Sequence, residues 1–153
     1  MTIRRSAAAV GAVAFGLFAL SACTKPTPLA TVTVGSTSVH TEASCYNGGK
    51  ALGDLSSCMN KTPDQTVKVH TTDKVHIGVD PAIADKGWVV LSPTGQKTDV
   101  IKSQTYYTFP TAGSLFIDQQ TGQSSKTANL SIVEVSGKGA AAGVWNVKLE
   151  LAD

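Results

Sequence analysis

The chain is 153 residues long, 42% hydrophobic and 16% charged, with 13 Lys and Arg against 11 Asp and Glu and a formal net charge of +2. That length suits one domain able to bury a core without help from a metal, and so small a charge excess provides no electrostatic footprint for nucleic acid. Three cysteines are an odd number for a secreted chain, so any disulfide leaves one over.

Arg4 and Arg5 open the chain and the uncharged run 7–20 follows them. This run falls short of the ~20 apolar residues needed to cross a ~30 Å hydrocarbon core, so residues 1–22 read as a cleaved signal peptide. Leu20, Ser21, Ala22 and Cys23 then stand in an order that resembles the bacterial lipobox. The resemblance implies that the Cys23 thiol takes a diacylglycerol group and that the leader is cut just before it. Cys23 would then hold the protein at the cell membrane, on its extracytoplasmic face, and no transmembrane helix is needed. Each buried methylene contributes roughly 0.8 kcal/mol, and two acyl chains hold where one does not. Cutting also removes Arg4 and Arg5, so 13 bases less 2 leaves 11 facing 11 acids.

Residues 23–29 contain Pro26 and Pro28 and predict a short extended tether that lifts the domain off the bilayer. Residues 30–153 predict a single all-β domain. In residues 30–43, "TVTV" and "SVHTE" flank Gly35 and Ser36, a pair able to turn a tight hairpin. Residues 45–58, "CYNGGKALGDLSSC", lack strand character and would form a mobile loop if left alone. In an oxidising compartment Cys45 and Cys58 pair and close it, at roughly 3 kcal/mol in the chain-entropy view. A redox or metal role for the pair is disfavoured, because the gap is far from the close spacing such sites use.

Further along, Val67, Val69, Val75, Ile77 and Val79 share one parity, while Lys68, His70, Lys74 and His76 share the other. One face is core and the other is wet. Asp80 can cap one helical turn opened by Pro81, and Gly87 can end it before Trp88. Runs beginning at Gly87, Gln104, Ser114 and Asn129 follow as strands. A final strand, "WNVKLEL", follows, in which Trp145, Val147, Leu149 and Leu151 point one way. About 7–8 short antiparallel strands with turn signals between them predict an immunoglobulin-like β-sandwich. The paired cysteines, "VHIGVDPAIADKGWVV" and the closing "GVWNVKLEL" together resemble a family of actinobacterial membrane lipoproteins whose domain has no assigned function. That resemblance implies an exported, membrane-tethered β-domain and supplies no catalytic residue.

Chemistry is sparse. His70 and His76 lie on one predicted face. On a continuous strand they stand about 20 Å apart; if residues 71–73 form a tight turn, they become neighbours at ~7 Å and could hold zinc or copper with Asp73. Hydrolase logic finds no G-x-S-x-G elbow, and its nearest acid to a histidine is Glu42, two residues after His40. "TGQSSKT" from Thr121 lacks the glycine before the lysine that a phosphate loop needs and reads as a polar hairpin loop. Adjacent Tyr106 and Tyr107 must point to opposite faces of a regular strand, so one is exposed and can anchor a partner. The small-residue run "GKGAAAG", residues 137–143, leaves room for a partner. The expected function is a non-catalytic binding or accessory module that meets an envelope protein or glycan. No cofactor is implied beyond the lipid on Cys23. A metal-handling lipoprotein is the alternative, and an envelope hydrolase ranks below it.

Overall fold

The computed structural model describes residues 26–152; the leader, Cys23 and the two residues after it lie outside the described residues. Among those described, nine strands form two sheets that pack face to face as an immunoglobulin-like β-sandwich. The chain opens with the hairpin β1 (Ala30–Val34) and β2 (Thr37–Thr41), in register from Ala30 opposite Thr41 to Val34 opposite Thr37. Gly35 turns it with φ 57°, a left-handed conformation that costs glycine little. β5 (Val75–Val79) pairs with the other edge of β1, and β7 (Tyr106–Phe109) pairs with β5. This four-stranded sheet runs β2-β1-β5-β7.

The second sheet is built on a long hairpin, β8 (Thr127–Val135) and β9 (Ala141–Leu151). β6 (Trp88–Leu91) flanks β8. The far edge of β9 is shared by β3 (Cys45–Tyr46), antiparallel, and β4 (Thr66–Val69), which runs parallel to it. The parallel pair departs from the all-antiparallel expectation. β4 and β5 belong to different sheets, so residues 70–74 cross between layers and do not fold back as a hairpin.

Alternation fills the space between the sheets. Val32, Ile77, Val67, Val69, Leu130, Ile132, Val147 and Leu149 are fully or almost fully buried in one contiguous core with Trp88 and Trp145. The two tryptophans satisfy their indole N–H groups on carbonyls of Gln104 and Pro28, both at 2.8 Å.

Three segments differ from the sequence expectation. Residues 114–119 do not form a strand: Gly113–Phe116 is a short 3-10 helix that sends Leu115 and Phe116 together into the core, which alternation forbids. The 45–58 segment is not a bare loop. It contains β3 and the helix α1 (Leu55–Met59), whose Asp54 cap accepts from the Ser57 amide at 3.2 Å. Asp80 does stand at the N-cap of the turn α2 (Pro81–Ala84), but its carboxylate accepts from the Leu29 amide at 2.8 Å and makes no capping bond.

Candidate binding face

The two sheets are finished differently on their outer surfaces. Cys45 and Cys58 are disulfide-bonded with Cα atoms 5.7 Å apart, which ties α1 to the edge strand β3. α1 and its approach lie over the five-stranded sheet, where Cys58, Leu52, Leu55 and Met59 pack on Val89, Val133 and Val144. Asn146 beneath them is buried. Its side-chain amide donates to the carbonyl of Cys58 at 2.8 Å, and its carbonyl accepts from the Ser131 hydroxyl at 2.8 Å. The disulfide therefore serves as a staple that covers this sheet.

Among the described residues the four-stranded sheet has no such cover. Its outward positions form two cross-strand rows: His40, Thr31, Gly78 and Tyr106, then Ser38, Thr33, His76 and Thr108. Neither row contains an Asp, Glu, Lys or Arg. The rows are held by side-chain hydrogen bonds between Thr31 and His40 Nδ1 and between Thr33 and Ser38, each 2.9 Å. His76 Nδ1 meets both the Thr108 hydroxyl, at 2.9 Å, and the Tyr106 hydroxyl. Nδ1 offers a single in-plane hydrogen-bonding position, so the two hydroxyls share it. The Tyr106 ring stacks along His76, 5.6 Å between centroids and 19° from parallel, and stays 55% exposed. It is an aromatic plate stacked on His76 within rows that carry no ionic side chain. Gly78 beside it leaves the floor open between Thr31 and Tyr106.

Tyr107 takes the opposite side, as alternation requires. It is half-buried and meets Phe109 edge-on with centroids 5.0 Å apart. Tyr106 is thus the exposed member of the pair.

His70, His76 and Asp73 are not brought together. His76 belongs to the outer face just described, whereas His70 follows β4 and turns onto Asp73, whose carboxylate accepts from the His70 amide at 2.8 Å and meets its ring at 3.3 Å. That backbone bond, opposed by slight burial and aided by the His70 ring, holds the Asp73 carboxyl below its ordinary range. Among the described residues no group of three His, Cys, Asp or Glu side chains stands close enough to hold a metal ion. His40 and Glu42 also separate: Thr31 holds the histidine, while Glu42 lines a hollow with residues 26–29 and Asp80. At the entry to the "TGQSSKT" loop, the Asp118 carboxylate accepts from the amides of Gln120 and Thr121, both at 2.8 Å. These bonds lower its pKa and leave a structured polar turn with no phosphate cradle.

Sequence reasoning passed over one cluster. Glu134 is fully buried at the end of the core, with Oε1 accepting from Lys86 Nζ at 3.1 Å and Oε2 without a partner among the described residues. Lys86 lies 5.9 Å from the Tyr46 ring centroid, and Tyr46 packs on Trp145 at the same separation. Burial pulls the Lys86 ammonium down, but its bond to Glu134, that carboxylate's charge and Tyr46 together outweigh burial and raise it. Parity was the available signal: Glu134 shares the even positions of Ala128, Leu130 and Ile132.

No protein-family model matches this chain, and no curated protein matches it. Among solved structures it is similar to fibronectin(III)-like modules of Clostridium thermocellum CbhA, at 12% identity and a TM-score of 0.39. The likeness covers 61% of this chain and 95% of that one. The sandwich assignment rests on the two sheets themselves.

Proposed function

We propose that the protein is a lipoprotein held by Cys23 at the outer face of the cytoplasmic membrane, with its sandwich acting as a non-catalytic binding module toward an envelope glycan or protein. The resemblance to actinobacterial lipoproteins belongs to this proposal. The observation that carries the binding role is the bare outer face of the four-stranded sheet, where Tyr106 is fixed against His76 among hydroxyls with no ionic group in either row. An aromatic plate beside ordered hydroxyl and imidazole groups suits a neutral, hydroxyl-bearing partner, which offers C–H faces for stacking and alcohols for hydrogen bonding. The anchor is supported by the Cys45–Cys58 bridge, which uses two of three cysteines and leaves Cys23 as the one to be modified.

Two measurements test the halves separately. Intact mass of the membrane-fraction protein, with and without reduction, is expected to equal residues 23–153 plus a diacylglycerol group, with two thiols appearing only on reduction. Titration of isotope-labelled protein with neutral envelope oligosaccharides is expected to move the resonances of His76, Tyr106 and Thr108, and Tyr106→Ala to abolish the movement. Shifts confined to the other sheet, or none with any envelope fragment, defeat the assignment of this face.

A further inference from the structure

The tether is not a free leash. Pro28 is buried, its carbonyl accepts from the Trp145 indole in the middle of β9, and Leu29 exchanges two bonds with Asp80, donating its amide at 2.8 Å and accepting the Asp80 amide at 3.1 Å. The chain is part of the fold from Pro28 onward. Pro26 and Pro28 share a hollow with Tyr46, Gly48 and Lys86, so the chain leaves the domain beside the loop that follows β3.

We propose that, in the lipidated protein, the end of the sandwich formed by residues 26–29, 47–54 and 136–140 lies against the lipid headgroups in a fixed orientation. The inference rests on lipidation of Cys23. Pro28 stands five residue steps beyond Cys23, and fully extended those steps span at most about 18 Å. From Trp145, where Pro28 docks, β9 runs a further six residues, about 20 Å, to Leu151, whose amide is bonded to the Lys126 carbonyl of the far loop. The leash is shorter than that distance, so it keeps the opposite end, which carries residues 118–126, off the headgroups.

The near end is mixed in charge, with Glu42, Asp80 and Asp85 beside residues 26–29 and Asp54 exposed in the 47–54 segment, but its hairpin tip is basic. Residues 136–140 are the tip of the β8–β9 hairpin, and the 47–52 loop is bonded to its base, with the Leu52 amide on the Ala141 carbonyl at 2.7 Å and the Asn47 amide on that of Ala142 at 3.1 Å. The hollow between them is lined by Lys50, Lys138 and small residues, with no acid. Both lysines are exposed. Two ammonium groups on a small-residue backbone suit the phosphates of anionic lipids, and the small side chains of "GKGAAAG" let the backbone come close to them.

The test uses the lipoprotein purified from its producing membranes and reconstituted into phosphatidylglycerol-containing vesicles that hold a nitroxide-headgroup lipid. A fluorophore is placed at Gly137→Cys or Ser124→Cys, exposed sites at the two ends. Quenching is expected to be several-fold stronger at position 137. Inserting twelve Gly and Ser residues between Lys25 and Pro26 is expected to bring the two values together. If a labelled variant misfolds, amide exchange on the unaltered lipoprotein reads the same contrast, with slowing on vesicles in 47–54 and 136–140 and none in 118–126. A mass without lipid overturns both this inference and the anchor. A lipidated protein with equal quenching at both ends, or a contrast that survives the insertion, overturns the orientation alone.

Discussion

Replacing Lys86 by Met strips Glu134 of its side-chain partner among the described residues while leaving the carboxylate fully buried. Removing one member of a buried pair typically costs about 3–5 kcal/mol, since the remaining charge is left unpaired away from water. Lys86 itself is 36% exposed, so solvent already screens the ammonium, and the figure falls to roughly 2–3 kcal/mol. Replacing both residues, as Lys86→Met with Glu134→Met, removes the charge along with its partner and should recover most of the loss. Urea unfolding followed by tryptophan fluorescence reads this directly, because Trp88 and Trp145 are both fully buried. pH separates the pair from simple packing. The folded pKa of Lys86 is raised above its ordinary value of 10.5, so the pair's contribution is complete below that pH and is lost as the pH rises through the folded value. The gap between wild type and Lys86→Met should therefore be constant through neutral pH and close in strong alkali. A cost under about 0.5 kcal/mol, in the range of an exposed ion pair, would refute the reasoning. So would a double variant no more stable than the single one.

Three other outcomes follow from the same structure. Serine at both Cys45 and Cys58 should lower stability by roughly 3 kcal/mol, and reductant should no longer shift the unfolding curve. Gly143→Ala should cost about 1–3 kcal/mol in urea, because an added Cβ would stand 2.6 Å from the Trp145 ring and 2.9 Å from that of Tyr46. Gly53→Ala, with no neighbour within 4 Å, is the control and should change stability little. A carbon-detected titration should place Asp73 below its ordinary 3.8, and the stability it contributes should be present above that pH and fade as acid carries the pH through the lowered value. A midpoint at or above 3.8 would remove the His70 amide as the cause.

Parity was the most legible signal. Val67, Val69, Val75, Ile77 and Val79 are all buried as alternation demands, and Tyr106 and Tyr107 divide between the faces. The same rule applied to β8 would have placed Glu134 in the core. Alternation says which side a residue takes but not which strand lies beside it. It therefore gave no hint that β4 joins β9 in parallel while β5 joins β1, and that pairing is what separates His70 from His76. Nor could it show that α1 would cover one sheet and leave the other bare, because a five-residue helix has too few turns to display a period.

Local chemistry thus settled what depends on a few consecutive residues: the Gly35 turn, the two-faced strands and the adjacency of Tyr106 and Tyr107. Cysteine parity suggested the Cys45–Cys58 bridge, which the fold then brought within bonding distance. Only the tertiary structure decided what depends on contacts between distant segments. Trp145 reaches Pro28 across 117 positions, Lys86 reaches Glu134 across 48, and Tyr106 meets His76 across 30. Such pairs leave no local trace, because either partner is ordinary in its own stretch of chain. Their energy exists only once two sheets have set the distance between them.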